Sequence, residues 1–328
     1  MIIERVRMLA PSTVIPIAIT VEGANILTRS MIIYGQGGLR SHPFAFEELN
    51  AVEADDLERF DRAFFGHLRF ALTGAARAFL LGITNGRLDR RARGGALRRH
   101  VQRLGRASAA FALVSEAAMV TLGGELKRRE ALTGRLADAL AWLYLGSAVV
   151  KRFHDAGEPA REQPFAQWAV EHALAEIERA LAGVLRNLPS RPVAWLVAVL
   201  AFPLGRSERG PDDALGARVA ETLLGDDLAR ESLTAGIFIP PADEVGLGCL
   251  EAARTAAVPA LEVEAKLRQL VHDRSLAPAS DDILARAAAS AGLITDTELE
   301  LLAAAERARN RAIAVDAFDP DEFRALRR

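Results

Sequence analysis

The sequence predicts an all-α protein, and three observations carry that reading. Alanine and leucine dominate a chain of 328 residues that is 50% hydrophobic and only 6% aromatic, and neither is a preferred strand former. Apolar residues recur at helical spacing over long segments. Near the C-terminus, Thr295-Asp296-Thr297-Glu298 has the spacing of a capping box, with Ile294 placed to staple onto Leu299.

Taken in order, Pro16 disfavours helix just before it, and Val14 to Val21 has extended character. Asn25 or Thr20 can then cap a helix through Leu27, Met31 and Tyr34 that Gly35-Gln36-Gly37-Gly38 would end. From Leu57 to Leu81, the residues Phe60, Phe64, Leu68, Leu72, Ala76 and Leu80 mark an amphipathic helix. A loop from Gly82 to Gly95 follows, and then two long helices, Ala107 to Leu122 and Leu126 to Arg152, joined near Gly123-Gly124 as a helical hairpin. Phe165 to Leu188 is helical again, as is the stretch after Arg209-Gly210-Pro211 to about Leu224, whereas 225 to 248 reads as loop. Gly292 closes one helix of the tail, and Asp319-Pro320 starts a last short one.

Several classes are excluded. The net charge of −2 gives no reason to expect nucleic acid. Cys249 is the only cysteine, which excludes an intrachain disulfide and a cysteine-based zinc site, fits a reducing cytoplasm and reads as a small buried residue. The opening residues carry acid and base without an apolar h-region, so no secretory signal is expected. The apolar run Pro192 to Leu204 is short of the ~20 residues that span a bilayer and reads as a buried helix; membrane contact is at most peripheral. His154, Glu171 and His172 have no partners at metal-binding spacing, so no metal site is expected. The arginines from Arg87 to Arg106 read as a solvated face, with an anion site as the competing reading.

The clearest chemical signal is Glu22, which follows a run whose only polar member after Ile15 is Thr20 and precedes Gly23. An apolar setting raises a carboxyl pKa and suits the group to proton abstraction near neutral pH. Local composition alone favours a structural carboxylate paired with an arginine such as Arg29.

The stretch Ala18-Ile19-Thr20-Val21-Glu22-Gly23-Ala24-Asn25-Ile26-Leu27-Thr28-Arg29-Ser30-Met31, with Tyr34-Gly35-Gln36-Gly37 and Arg40-Ser41-His42-Pro43, resembles the end of the catalytic region of the bacterial fatty-acid-degradation acyl-CoA dehydrogenases. Leu122-Gly123-Gly124-Glu125-Leu126, Leu143-Tyr144-Leu145-Gly146 and Phe202-Pro203-Leu204-Gly205-Arg206 resemble the helical C-terminal extension of the long form. The resemblance implies that residues 1–45 end the catalytic domain and that 46–328 form a bundle-like extension. It implies Glu22 as the catalytic base and Gly23 as a substrate-binding position, where the backbone approaches the thioester. It implies FAD as hydride acceptor, fatty acyl-CoA as substrate, a trans-2-enoyl-CoA product and an electron-transfer flavoprotein as partner, in fatty-acid β-oxidation. Ala24 and Ile26 stand where many members carry Thr and Gln against the flavin, so no cofactor-binding residue is carried over.

The family's upstream flavin and CoA surfaces have no counterpart in the sequence, so the isolated chain is expected to be an inactive fragment or one product of a split gene, completed by a separately encoded core. A homo-oligomer is among the implied assemblies. The competing reading is an all-α interaction module that docks such a core without chemistry of its own.

Overall fold

A computed structural model describes residues 25, 27–92, 94–225, 227–244 and 246–314. The described residues contain twelve α-helices and no strand, as the composition predicts. The chain divides into two compact units, residues 1–220 and 221–328.

The first unit begins with a π-helical stretch, Thr28–Gln36, that runs straight into α1 (Gly37–Ser41). The glycines expected to end this helix do not end it. Gly37 adopts helical angles, φ −64° and ψ −38°, and the wider π turn takes up the local change in pitch. Helix α2 spans Ala45–Glu53 and α3 Leu57–Ile83, the latter capped by Asp56, whose carboxylate accepts the Arg59 N–H at 2.9 Å. After the expected loop come α4 (Arg98–Leu122), a 3-10 turn (Gly123–Arg128) and α5 (Glu130–Asp155). The predicted hairpin is thus present, and Gly123 turns the chain with φ +50°. Helices α6 (Gln163–Asn187), α7 (Arg191–Ala201) and α8 (Asp213–Gly225) follow.

The core of this unit lies among α4, α5 and α6, where Val114, Leu136, Val170, Leu174, Ile177 and Leu181 are sealed from solvent. Helices α3 and α7 flank it, each burying a narrow strip of small residues: Ala78 and Gly82 on α3, Ala194 and Ala201 on α7. The run expected as a buried helix, α7, is therefore only half covered, with Trp195 and Leu196 facing solvent. Residues 98–128 have the length and hydropathy of a bilayer-crossing helix, but half of their most apolar window is buried in the unit and α4 carries buried Gln102, Arg106 and Glu116.

The loop between α3 and α4 lies close on α4. Gly86, at φ +78°, sits where a Cβ would be 2.2 Å from the Gln102 carbonyl oxygen, and Gly105 leaves room for the Asp89 carboxylate.

In the second unit, α9 (Asp227–Thr234) occupies part of the stretch expected as loop. Its sequence DLARESLT has a strong apolar face but is too short for periodicity to announce it. Helices α10 (Leu247–His272), α11 (Asp281–Ser290) and α12 (Asp296–Ile313) enclose a small core of Val263, Leu267, Ala285, Ala288 and Ile294. The capping box is present in full: Thr295 Oγ1 accepts the Glu298 N–H at 3.2 Å, and the Glu298 carboxylate accepts the Thr295 N–H at 2.7 Å. Gly292 closes α11 at φ +69°, and Cys249 is buried with a free thiol. The helix expected at Asp319-Pro320 lies outside the described residues.

Candidate functional site

Glu22 and Gly23, the site residues singled out in the sequence, lie outside the described residues. Downstream of them, the Arg29 guanidinium is 3.4 Å from Asp138 of α5.

A few residues further on, the chain builds a buried polar cluster that spacing along the sequence does not reveal. His42, directly after α1, turns its Nδ1 onto the start of α2, where it accepts the N–H groups of Phe44 at 3.2 Å and Ala45 at 2.9 Å. That capping role leaves the ring hydrogen on Nε2, which donates to Glu116 Oε2 at 3.1 Å. From α3, His67 donates Nε2–H to Glu116 Oε1 at 2.5 Å and Nδ1–H to Glu48 Oε1 of α2 at 2.8 Å. The two imidazoles lie 4.6 Å apart, and Phe44 stacks on His67. One carboxylate on α4 thereby ties down the end of α1, α2 and α3.

The electrostatics follow from this geometry. Burial works against charge on His67, but hydrogen bonds and attraction from Glu116 and Glu48 outweigh it and raise its pKa above the ordinary histidine value. Burial likewise opposes the Glu116 carboxylate, and the hydrogen bonds from His42 and His67 override it, leaving its pKa lowered. Beside them, burial pushes the Tyr34 hydroxyl up to about 12, and the nearby Glu116 charge adds to the rise.

The ligand atoms of His42, His67 and Glu116 lie within 4.8 Å of one another, close enough to surround a metal ion. The hydrogen bonding argues for protons instead. A metal-binding histidine presents a bare lone pair and donates through its other nitrogen, whereas His42 accepts at Nδ1 and carries its hydrogen on Nε2.

A second buried network joins α4 to α6. Glu178 accepts the N–H groups of Ser207 and Glu208, and Arg106 bridges Glu178 at 3.2 Å and Glu208 at 2.7 Å. Arg103 chelates Glu208, and His100 bonds Glu171 at 3.1 Å. Part of the arginine run is therefore consumed inside the protein. Arg99 stands among like charges: burial first, then repulsion from Arg87, Arg103 and Arg98, lowers its pKa.

In the second unit, a groove of about 420 Å³ is lined by Leu267, Val271 and Leu302 together with the carboxylates of Glu264, Asp281, Asp282 and Glu306 and the guanidiniums of Arg268 and Arg309. Neither this groove nor the histidine cluster fits a flavin dinucleotide. The groove's excess of carboxylates over guanidiniums opposes a pyrophosphate, and the cluster's polar atoms satisfy one another.

No solved structure matches the chain. A family model described as acyl-CoA dehydrogenase, C-terminal, bacterial type, matches residues 39–318, from just before His42 through both helical units. The chain belongs to this bacterial-type acyl-CoA dehydrogenase C-terminal family.

Proposed function

We propose that the chain serves as the C-terminal part of an FAD-dependent acyl-CoA dehydrogenase of fatty-acid β-oxidation, with residues 1–45 completing the catalytic domain and 46–328 forming its helical extension. The observation that carries this reading is the family match over residues 39–318, which begins downstream of the Glu22-Gly23 pair. In it, Glu22 removes the α-proton of a fatty acyl-CoA, the Gly23 backbone lets the thioester approach, and the product is the trans-2-enoyl-CoA. Electrons leave through an electron-transfer flavoprotein. Neither the second unit's groove nor the histidine cluster fits a flavin, and in this reading the chain by itself is flavin-free and inactive and works joined to a dehydrogenase core, in the cytoplasm or at the periphery of the inner membrane.

The role of the histidine cluster in this reading is positional. It fastens the segment that follows Glu22 to α4 through His42 and Glu116.

The test is reconstitution of acyl-CoA-dependent reduction of an electron-transfer flavoprotein with the chain and a flavin-loaded core. Glu22→Gln is expected to lower the rate by roughly 10²–10⁴-fold, the usual worth of a positioned base. Activity indifferent to Glu22 defeats the catalytic assignment and leaves an all-α interaction module.

A further inference from the structure

Helix α3 is the least covered long helix of the first unit. Its buried residues are Ala63, Ala78, Leu81 and Gly82, while Phe65 is 64% and Leu72 63% exposed, and Leu68, Phe79 and Ile83 also face solvent. These exposed residues form one stripe. Asp61, Phe65, Leu68, Leu72, Ala76, Phe79 and Ile83 are separated by four, three, four, four, three and four positions, the spacing of a helix-pairing seam along a helix ~40 Å long.

That order of intervals reads the same in both directions, with Leu72 at its centre. We propose that this stripe is a self-association surface, on which α3 of a second copy of the chain packs antiparallel about a two-fold axis at Leu72. In that pairing Phe65 lies opposite Phe79, the large Leu68 lies opposite the small Ala76, Leu72 meets its own copy and Asp61 lies opposite Ile83 at the solvent-facing ends, so one surface supplies both halves of an isologous interface. Charge supports the same direction. Residues 55–62, at the N-terminal end of α3, carry Asp55, Asp56, Glu58 and Asp61 against Arg59 and Arg62, a net acidic balance, and its C-terminal part carries Arg77 with Arg87 just beyond the helix. Antiparallel packing sets the acidic end of one helix beside the basic end of the other and opposes their dipoles favourably, whereas parallel packing sets like beside like. The stripe, with neighbouring Phe64 and Leu80, offers roughly 700 Å² of apolar side chain per copy at ~200 Å² for a full large side chain, close to the ~800 Å² per partner of a stable interface. The inference rests on the described residues and is independent of the dehydrogenase reading.

Sedimentation velocity on the full chain tests it. The wild type is expected to be a dimer, and Leu72→Glu, which sets two carboxylates together at the two-fold axis, is expected to weaken association by at least ~100-fold while leaving helicity unchanged, since Leu72 is exposed. Cysteine pairing provides a second measure in a Cys249→Ser background. Chains carrying Leu68→Cys are expected to form a disulfide with chains carrying Ala76→Cys and not with each other. A monomeric wild type, a dimer indifferent to Leu72→Glu, or Leu68→Cys chains that link to each other overturns the proposal. So does a monomer whose Leu72 face becomes protected only on adding a dehydrogenase core or lipid vesicles.

Discussion

The Nε2–H of His67 meets the Glu116 carboxylate at 2.5 Å, and this contact holds α3 to α4 where α3 buries few large side chains of its own. The same imidazole reaches Glu48 of α2 through Nδ1, so both ring nitrogens donate and the charged form is the one the site selects. A helix with little core contact is thereby fastened by a charged bridge.

The bridge makes the first unit's stability depend on pH in a definite direction. The His67 pKa is raised in the folded state, so its contribution is complete below the unfolded histidine value near 6.5 and is lost as pH rises through the higher folded value. The Glu116 pKa is lowered from 4.5, so its contribution is present above that value and is lost as pH falls through the lower folded one. Thermal denaturation is expected to show a stability maximum between these limits, and His67→Gln is expected to flatten the alkaline side. A wild-type profile level from pH 6 to 9 contradicts the assignment.

Gly86 is expected to tolerate no side chain. Alanine there would occupy φ +78° and bring its Cβ to 2.2 Å from the backbone oxygen of Gln102. The left-handed conformation alone costs about 1–2 kcal/mol, and the clash with backbone adds to it. Gly86→Ala should lower the melting temperature clearly, whereas Gly94→Ala, where a Cβ meets open space, should not.

What the sequence discloses follows from the range of the interactions involved. The capping box at Thr295 and Glu298 and the hairpin at Gly123 are local, so neighbouring residues announce them. The Glu116 cluster joins residues 74 and 49 positions apart, and no spacing rule reaches that far. Periodicity on α3 identifies an apolar face but not what covers it. Phe64, Leu68, Leu72 and Leu80 have helical spacing, yet they point to solvent because α4 and α7 pack against the small residues on the other side. The catalytic reading of Glu22 came through family resemblance, and that residue lies outside those described.

Thr295→Ala is expected to destabilise the second unit by about 1 kcal/mol, the usual worth of a side-chain N-cap. The variant loses the acceptor for the Glu298 N–H, while the Glu298 carboxylate still accepts the backbone N–H of residue 295. Thr295→Ser should keep nearly all of the stability. Hydrogen exchange at the first turn of α12 reports the effect locally, and equal protection in the alanine variant would contradict it.

Arg106 supplies the largest predicted effect because it neutralises two buried carboxylates together. Glu178 and Glu208 both bond to its guanidinium, and Glu178 already has a raised pKa, from burial first and from the Glu208 charge as well, despite its backbone N–H donors and Arg106. Replacing Arg106 by methionine keeps the apolar stem but leaves the two acids facing each other with one fewer cation, which for a broken buried pair costs about 3–5 kcal/mol. Glu178→Gln alone removes one charge and keeps an acceptor for the Ser207 or Glu208 N–H, so it should cost less than Arg106→Met. In the double variant the repulsion that Arg106→Met creates is absent, so its total cost should fall below the sum of the two single losses. Denaturant unfolding of the four proteins measures that coupling, and strict additivity would show that Arg106 does not neutralise Glu178.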